Sequence, residues 1–195
     1  MSGYDANTAL IVVDMQNDFA DPAGSLYVRG GETIIPFVNR AIDRAQAAGA
    51  TVVYTQDWHP ETTPHFAKDG GIWPVHCVAA TRGAALHPAL HIVGTACIRK
   101  GRGGEDGYSG FSMRDPVSGE IAATELEAIL RTRDVTRLVV VGLATDYCVK
   151  ETVLDARRLG FPTRVLRAGI RAVELAPGDG ERACAEMERA GAVVE

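Results

Sequence analysis

Short apolar runs alternate with helically periodic stretches along nearly the whole chain. Residues 8–13 (TALIVV) are apolar at almost every position, the pattern of a strand covered on both faces, and the run stops at Asp14. Ile35, Val38, Ile42 and Ala45 recur at helical spacing, which predicts a helix over 32–48 ended by Gly49. Residues 51–56 (TVVYTQ) predict a second strand that delivers Asp57 at its carboxyl end, and 95–99 a third that ends at Lys100. A helix over 122–132 is expected to lead into the strongest strand, 137–142 (RLVVVG). A helix over 146–159 stopped by Gly160 and Pro162, a strand at 163–167, a helix at 179–190 and a strand at 192–194 complete the series.

Strands alternating with helices imply β-α-β units. The expected fold class is α/β: three layers, α/β/α, around a central, mainly parallel six-stranded sheet. Ligands of such sheets sit beyond the carboxyl ends of the strands. Asp14, Asp57, Lys100 and the segment leading to Cys148 all follow predicted strands directly. Two stretches resist a regular reading, 60–94 with its four prolines and the glycine-rich 101–119. Irregular segments of that length are usually functional or disordered. The first is expected to form an ordered site wall, while GRGGEDG at 101–107 is compatible with a mobile rim.

With 195 residues and 46% hydrophobic content, residues 1–195 are expected to form one domain with a sizeable core. A net charge of −5 without a basic run argues against a nucleic-acid surface. No stretch approaches the roughly 18 apolar residues of a membrane span, and a signal peptide is not evident, so a cytoplasmic protein with no membrane partner is expected. Cys77, Cys97, Cys148 and Cys184 are widely spaced, which makes reduced thiols the default, and Cys77, Cys97 and Cys184 read as buried apolar residues.

Candidate chemistry centres on Asp57, His59, His65 and His76, which lie within twenty positions of one another. One carboxylate and three imidazoles suit a divalent ion such as zinc, iron or manganese. A shared metal explains three histidines that would otherwise each need a separate reason, while His87 and His91 read as loop or surface residues. Cys148, in GLATDYCVKET, falls at the first turn of a predicted helix, where the dipole lowers a thiol pKa and backbone amides can stabilise an oxyanion. A buried inert cysteine is the competing reading. Lys100 would ordinarily be a solvated charge, but beside a thiol and a carboxylate it would favour thiolate. Asp14 closes a run too apolar for an unpaired carboxylate. Paired with Lys100, it could serve as general base and then general acid for the thiol. Together these residues suggest a metal-assisted cysteine hydrolase.

The segments VDMQNDF (13–19), TQDWHP (55–60), His65-Phe66, WPVHCV (73–78), Lys100-Gly101, YSGF (108–111) and GLATDYCV (142–149) occur in one order along the chain. In this the sequence resembles the isochorismatase-like cysteine hydrolases, and among them closely the nicotinamidase/pyrazinamidase family. The resemblance implies a catalytic triad of Asp14, Lys100 and Cys148. It implies metal ligands at Asp57, His59, His65 and His76, holding one divalent ion, zinc or iron, with manganese a third candidate. It implies an oxyanion hole from the Ala144 and Cys148 amides, a cis Leu143–Ala144 bond, and substrate walls from Phe19 and Trp73 with Tyr108 nearby. The implied activity deamidates nicotinamide to nicotinate and ammonia through a thioester, with pyrazinamide as a further substrate. Tyr147 stands where His is common in the family. The small amide is the expected partner, and a homo-oligomer stays open. Two rivals remain. One is a sibling amidase or carbamoyl hydrolase acting on another small amide. The other is a non-catalytic metal or redox protein, which would leave Asp14 and Lys100 exposed and expendable.

Overall fold

The computed structural model describes residues 3–94 and 96–195. In chain order these form β1 (Thr8–Val13), α1 (Asn17–Ala20), α2 (Gly31–Ala47), β2 (Thr51–Asp57), β3 (Ala96–Lys100), β4 (Ser112–Arg114), β5 (Ile121–Ala123) and α3 (Leu126–Thr132). There follow β6 (Arg137–Leu143), α4 (Lys150–Arg158), β7 (Thr163–Arg171), α5 (Asp179–Arg189) and β8 (Val193–Val194). Six strands make one sheet in the order β3-β2-β1-β6-β7-β8, with every pairing parallel. Thr95, the first residue of the strand expected at 95–99, lies outside the described residues.

The uninterrupted apolar runs of β1 and β6 follow from their central place, because helices cover both faces there. Leu10 and Val12 of β1 point into a core shared with Ile35, Val38, Ile42 and Ala45 of α2. Ala9, Ile11 and Val13 point the other way, against Leu126 and Leu130 of α3, Val153 of α4 and Met187 of α5. Each fully buried aliphatic side chain contributes about 1.5–3 kcal/mol, so these two layers hold the strand ends in fixed register. Gly49, with φ at +72°, ends α2 as its position predicts.

At the carboxyl edge the central strands approach too closely for side chains. Gly142 has φ at +118°, and a Cβ placed on it would lie 2.1 Å from the Val13 carbonyl oxygen. Gly142→Ala is therefore expected to lower stability by about 3 kcal/mol through overpacking and backbone incompatibility, read as a depressed Tm. An unchanged Tm would show that the strand ends can separate freely.

Two elements differ from expectation. The helix expected over 122–132 begins only at Leu126, because Ile121–Ala123 instead pairs antiparallel with Ser112–Arg114. Thr124 marks the switch: its hydroxyl donates to the Gly110 carbonyl at 2.6 Å and accepts from the Leu126 amide at 3.1 Å. The helix expected over 146–159 is α-helical only from Lys150, since Thr145–Val149 forms a wider π-helical turn. Among the described residues, no helix is long and apolar enough to cross a membrane.

Candidate active site

Four strand ends converge on one buried ammonium. Lys100, the last residue of β3, is fully buried, and its Nζ donates to Asp14 Oδ2 at 2.7 Å. It also donates to Asp57 Oδ1 and to the Gly107 carbonyl, with Cys148 Sγ 3.6 Å away. Side-chain atoms of Asp14, Asp57 and Cys148 lie within 4.8 Å of one another. Asp14 leaves β1 with φ at +47°, a left-handed turn that ends the strand. Thr55 holds its carboxylate, donating from Oγ1 to Asp14 Oδ1 at 2.6 Å. The burial of Asp14 and Lys100 is the reverse of what a non-catalytic metal or redox protein predicts.

The two carboxylates differ in electrostatics. Burial pushes Asp14 up to about 6, against the pull of Lys100 and reinforced by Asp57. Burial also raises Asp57, but Lys100 and the neighbouring histidines outweigh it and hold that carboxyl well below the usual range. Two carboxyls pushed apart in this way fit different roles, one exchanging a proton and one remaining an anion. Lys100 is held well above its ordinary value because the two carboxylates outweigh its burial.

Cys148 departs from the expected lowered thiol. Burial dominates and holds it well above its ordinary value, since Lys100 opposes but Asp14 and Asp57 add to the rise. The thiol thus sits beside the Asp14 and Asp57 carboxylates, which disfavour its ionisation. The Tyr147 and Val149 amides both turn back to the Ala144 carbonyl, at 3.1 and 3.0 Å. Neither the Ala144 nor the Cys148 amide donates to a backbone acceptor outside its own element among the described residues. The Leu143–Ala144 peptide bond is cis.

The irregular stretch from 60 to 94 is stitched into place by bridges that gather the histidines. His59 pairs with the 77–79 segment, its amide donating to Cys77 O at 3.0 Å and its carbonyl accepting from Ala79 at 2.8 Å. Phe66 bridges to Trp73, with the Ala67 amide on the Trp73 carbonyl at 2.7 Å. His59, His65 and His76 thereby bring ring nitrogens within 4.8 Å of one another. Asp57 Oδ2 lies 3.7 Å from His59 Nε2 and 3.9 Å from His76 Nε2.

These residues fit a divalent ion. Both ring nitrogens of His59 are buried without a hydrogen-bond partner, which is costly unless a cation takes one of them. Burial, then the neighbouring His59, pushes His65 down to about 3, and burial lowers His76 too, leaving the neutral imidazoles that ligate metals. His76 Nδ1 lies 2.8 Å from the Pro74 carbonyl, an outer contact that leaves Nε2 facing the cluster.

Between the thiol and the histidines lies a small pocket lined by Phe19, Trp73, Tyr108, Ala144, Tyr147 and Cys148, among others. Trp73 Nε1 donates to the Tyr108 hydroxyl at 2.9 Å, and Tyr147 meets the Trp73 ring edge-on at 4.8 Å. Burial pushes the Tyr108 phenol up to about 12. His91 is exposed and pairs with Asp43, and His87 is half-buried, so both stand apart from the cluster. Cys77 and Cys184 are buried as expected, but Cys97 is exposed on the edge strand β3.

Sequence reasoning missed several residues of the site. Gln16 is fully buried and clamps the Asp57 backbone, its Nε2 on the Asp57 carbonyl and its Oε1 under the Asp57 amide, both at 2.8 Å. Phe66 packs 5.5 Å from His59 and 5.4 Å from His76 between ring centroids. Both lie inside segments that carry the family resemblance, so position was visible and contact was not.

Comparison with known proteins agrees with this geometry. The isochorismatase domain model matches residues 8–195. A nicotinamidase of Escherichia coli is 40% identical, with 95% of this chain and 93% of that protein covered. A pyrazinamidase of Pyrococcus horikoshii solved in complex with zinc superposes with a TM-score of 0.86 at 40% identity, covering 97% of this chain and 98% of that one. PnC1 of L. infantum, solved in complex with nicotinate, gives a TM-score of 0.87 at 37% identity, covering 98% and 94%. The chain belongs to the isochorismatase domain family.

Proposed function

We propose that this protein hydrolyses nicotinamide to nicotinate and ammonia, and pyrazinamide likewise, with residues 1–195 acting as one catalytic unit. The observation that carries the reading is one small aromatic pocket with Cys148 at one wall and His65 and His76 at the other. Relatives and structural neighbours of this chain are named for that amidase activity, and one of those structures holds nicotinate.

In this reading Phe19 and Trp73 hold the flat pyridine ring, with Tyr108 closing the wall. Asp57, His59, His65 and His76 would hold a divalent ion, zinc or iron, with manganese less favoured. Such an ion supplies a Lewis acid that orients the substrate and polarises water. Asp14 takes the Cys148 proton as sulfur attacks the carboxamide carbon, and Lys100 offsets the charge that gathers between them. The Ala144 and Cys148 amides donate hydrogen bonds to the oxyanion. Asp14 returns the proton to departing ammonia, leaving a thioester, then takes a proton from the water that attacks it and passes that proton to the departing Cys148 sulfur. A sibling amidase on another small amide is the alternative within the family.

Purified protein should release ammonia from nicotinamide, and the Cys148→Ala protein should not. Absence of release by the wild type would remove this reading and leave the sibling amidase. Because Asp14 must start as a base, kcat/KM should fall about tenfold per pH unit below its raised value of about 6. His59→Ala should cut bound metal at least about tenfold while circular dichroism is retained. Full metal content in that variant would contradict the ligand assignment.

A further inference from the structure

A second cavity, of about 550 Å³, opens beside the aromatic pocket and has no part in the chemistry above. The two share Val173, and Arg29 and Thr145 of the cleft directly follow Val28 and Ala144 of the pocket. Its floor is partly apolar, from Ile170, Ala172 and Cys184, and three arginines line it: Arg29, Arg167 and Arg171. That size falls within the range of small-molecule sites.

The charges in the cleft do not cancel. Arg167 is paired with Glu181. The Glu174 carboxylate is committed to the start of α5, accepting from the Gly178 amide at 2.7 Å and the Gly180 amide at 2.8 Å. Among the described residues, neither Arg29 nor Arg171 forms an ion pair with a carboxylate, unlike Arg167. Arg171 is half-buried, and its Nη1 donates to its neighbour's carbonyl, Ile170 O, at 2.6 Å. Its Nε lies 3.5 Å from where a Cβ on Gly30 would stand, so its side chain crosses the residue next to Arg29. Arg29 and Arg171 thus line one cavity whose two carboxylates, Glu174 and Glu181, are engaged with the start of α5 and with Arg167.

We propose that this cleft is a binding site for a small-molecule oxyanion, a carboxylate or a phosphate group gripped by Arg29 and Arg171. The planar fork of arginine matches both groups through paired hydrogen bonds. The anion has two sources: the carboxylate product formed next door, or a phosphorylated metabolite. The cleft stands on its own geometry, and only nicotinate as the product probe rests on the amidase reading.

The test is calorimetric titration of the metal-loaded protein at low ionic strength with nicotinate and, separately, with inorganic phosphate. If the product is the ligand, nicotinate should fill two sites in the wild type and one in Arg29→Ala/Arg171→Ala. If a phosphate group is the ligand, phosphate affinity should fall at least tenfold in that double variant. Arg29→Ala alone alters an exposed residue and should show a smaller loss in the same direction. Glu181→Gln releases Arg167 and should tighten whichever anion binds by severalfold. Initial rates on nicotinamide report separately on the amidase reading, so the two ideas can fail independently. Isotherms for both anions that these substitutions leave unchanged, or no binding of either, would overturn the proposal.

Discussion

Cys148→Ala is expected to lower nicotinamide turnover by on the order of 10⁴-fold or more while leaving the fold intact. The side chain is small and sits in a pocket wall, so its loss removes the nucleophile without opening a large core cavity. Asp14→Asn should fall comparably, because the isosteric amide keeps the contact with Thr55 but cannot accept the thiol proton. The two effects should not add, since base and nucleophile act as one unit. Steady-state ammonia release with matched circular dichroism spectra decides it. A double variant losing the product of the single losses would mean that Asp14 acts elsewhere than on Cys148.

Lys100→Met should destabilise the protein by about 3–5 kcal/mol at neutral pH, the cost of leaving buried charge without its partner. Lys100 is fully buried, and its ammonium is shared by Asp14 and Asp57. Without it both carboxyls rise in the folded state, relative to an unfolded value near 3.9. The folded variant then binds more protons than the unfolded chain between those values, so stability falls as pH rises through the raised folded values. Denaturant melts should show the deficit shrinking on acidification toward pH 5 and growing toward pH 8. A deficit that does not vary with pH would mean that Lys100 contributes packing and little charge compensation.

Much of this was legible in the chain because parallel sheets write their strands as unbroken apolar runs. Asp14, Asp57 and Lys100 interrupt or end such runs, and a charge at that edge has few explanations besides chemistry. The histidines were legible as candidate ligands by type but not by geometry. Their meeting depends on the His59 and Phe66 bridges inside a stretch with no periodicity to read. The Gln16 clamp and the Gly107 carbonyl were invisible for a related reason, since each acts through backbone atoms that no motif records. The raised Cys148 thiol was not legible, because the helix terminus and Lys100 visible in the sequence both favour thiolate. Burial between two carboxylates overrides both, and neither the burial nor the neighbours can be read from sequence.

The most direct test of sulfur as the nucleophile is to quench the enzyme in acid during turnover of nicotinamide and map the acyl group by peptide mass spectrometry. A nicotinoyl group on the peptide carrying Cys148, absent in Asp14→Asn, is the predicted result. Undiminished turnover with no acyl group on that cysteine, or with one on Cys77, Cys97 or Cys184, would contradict it.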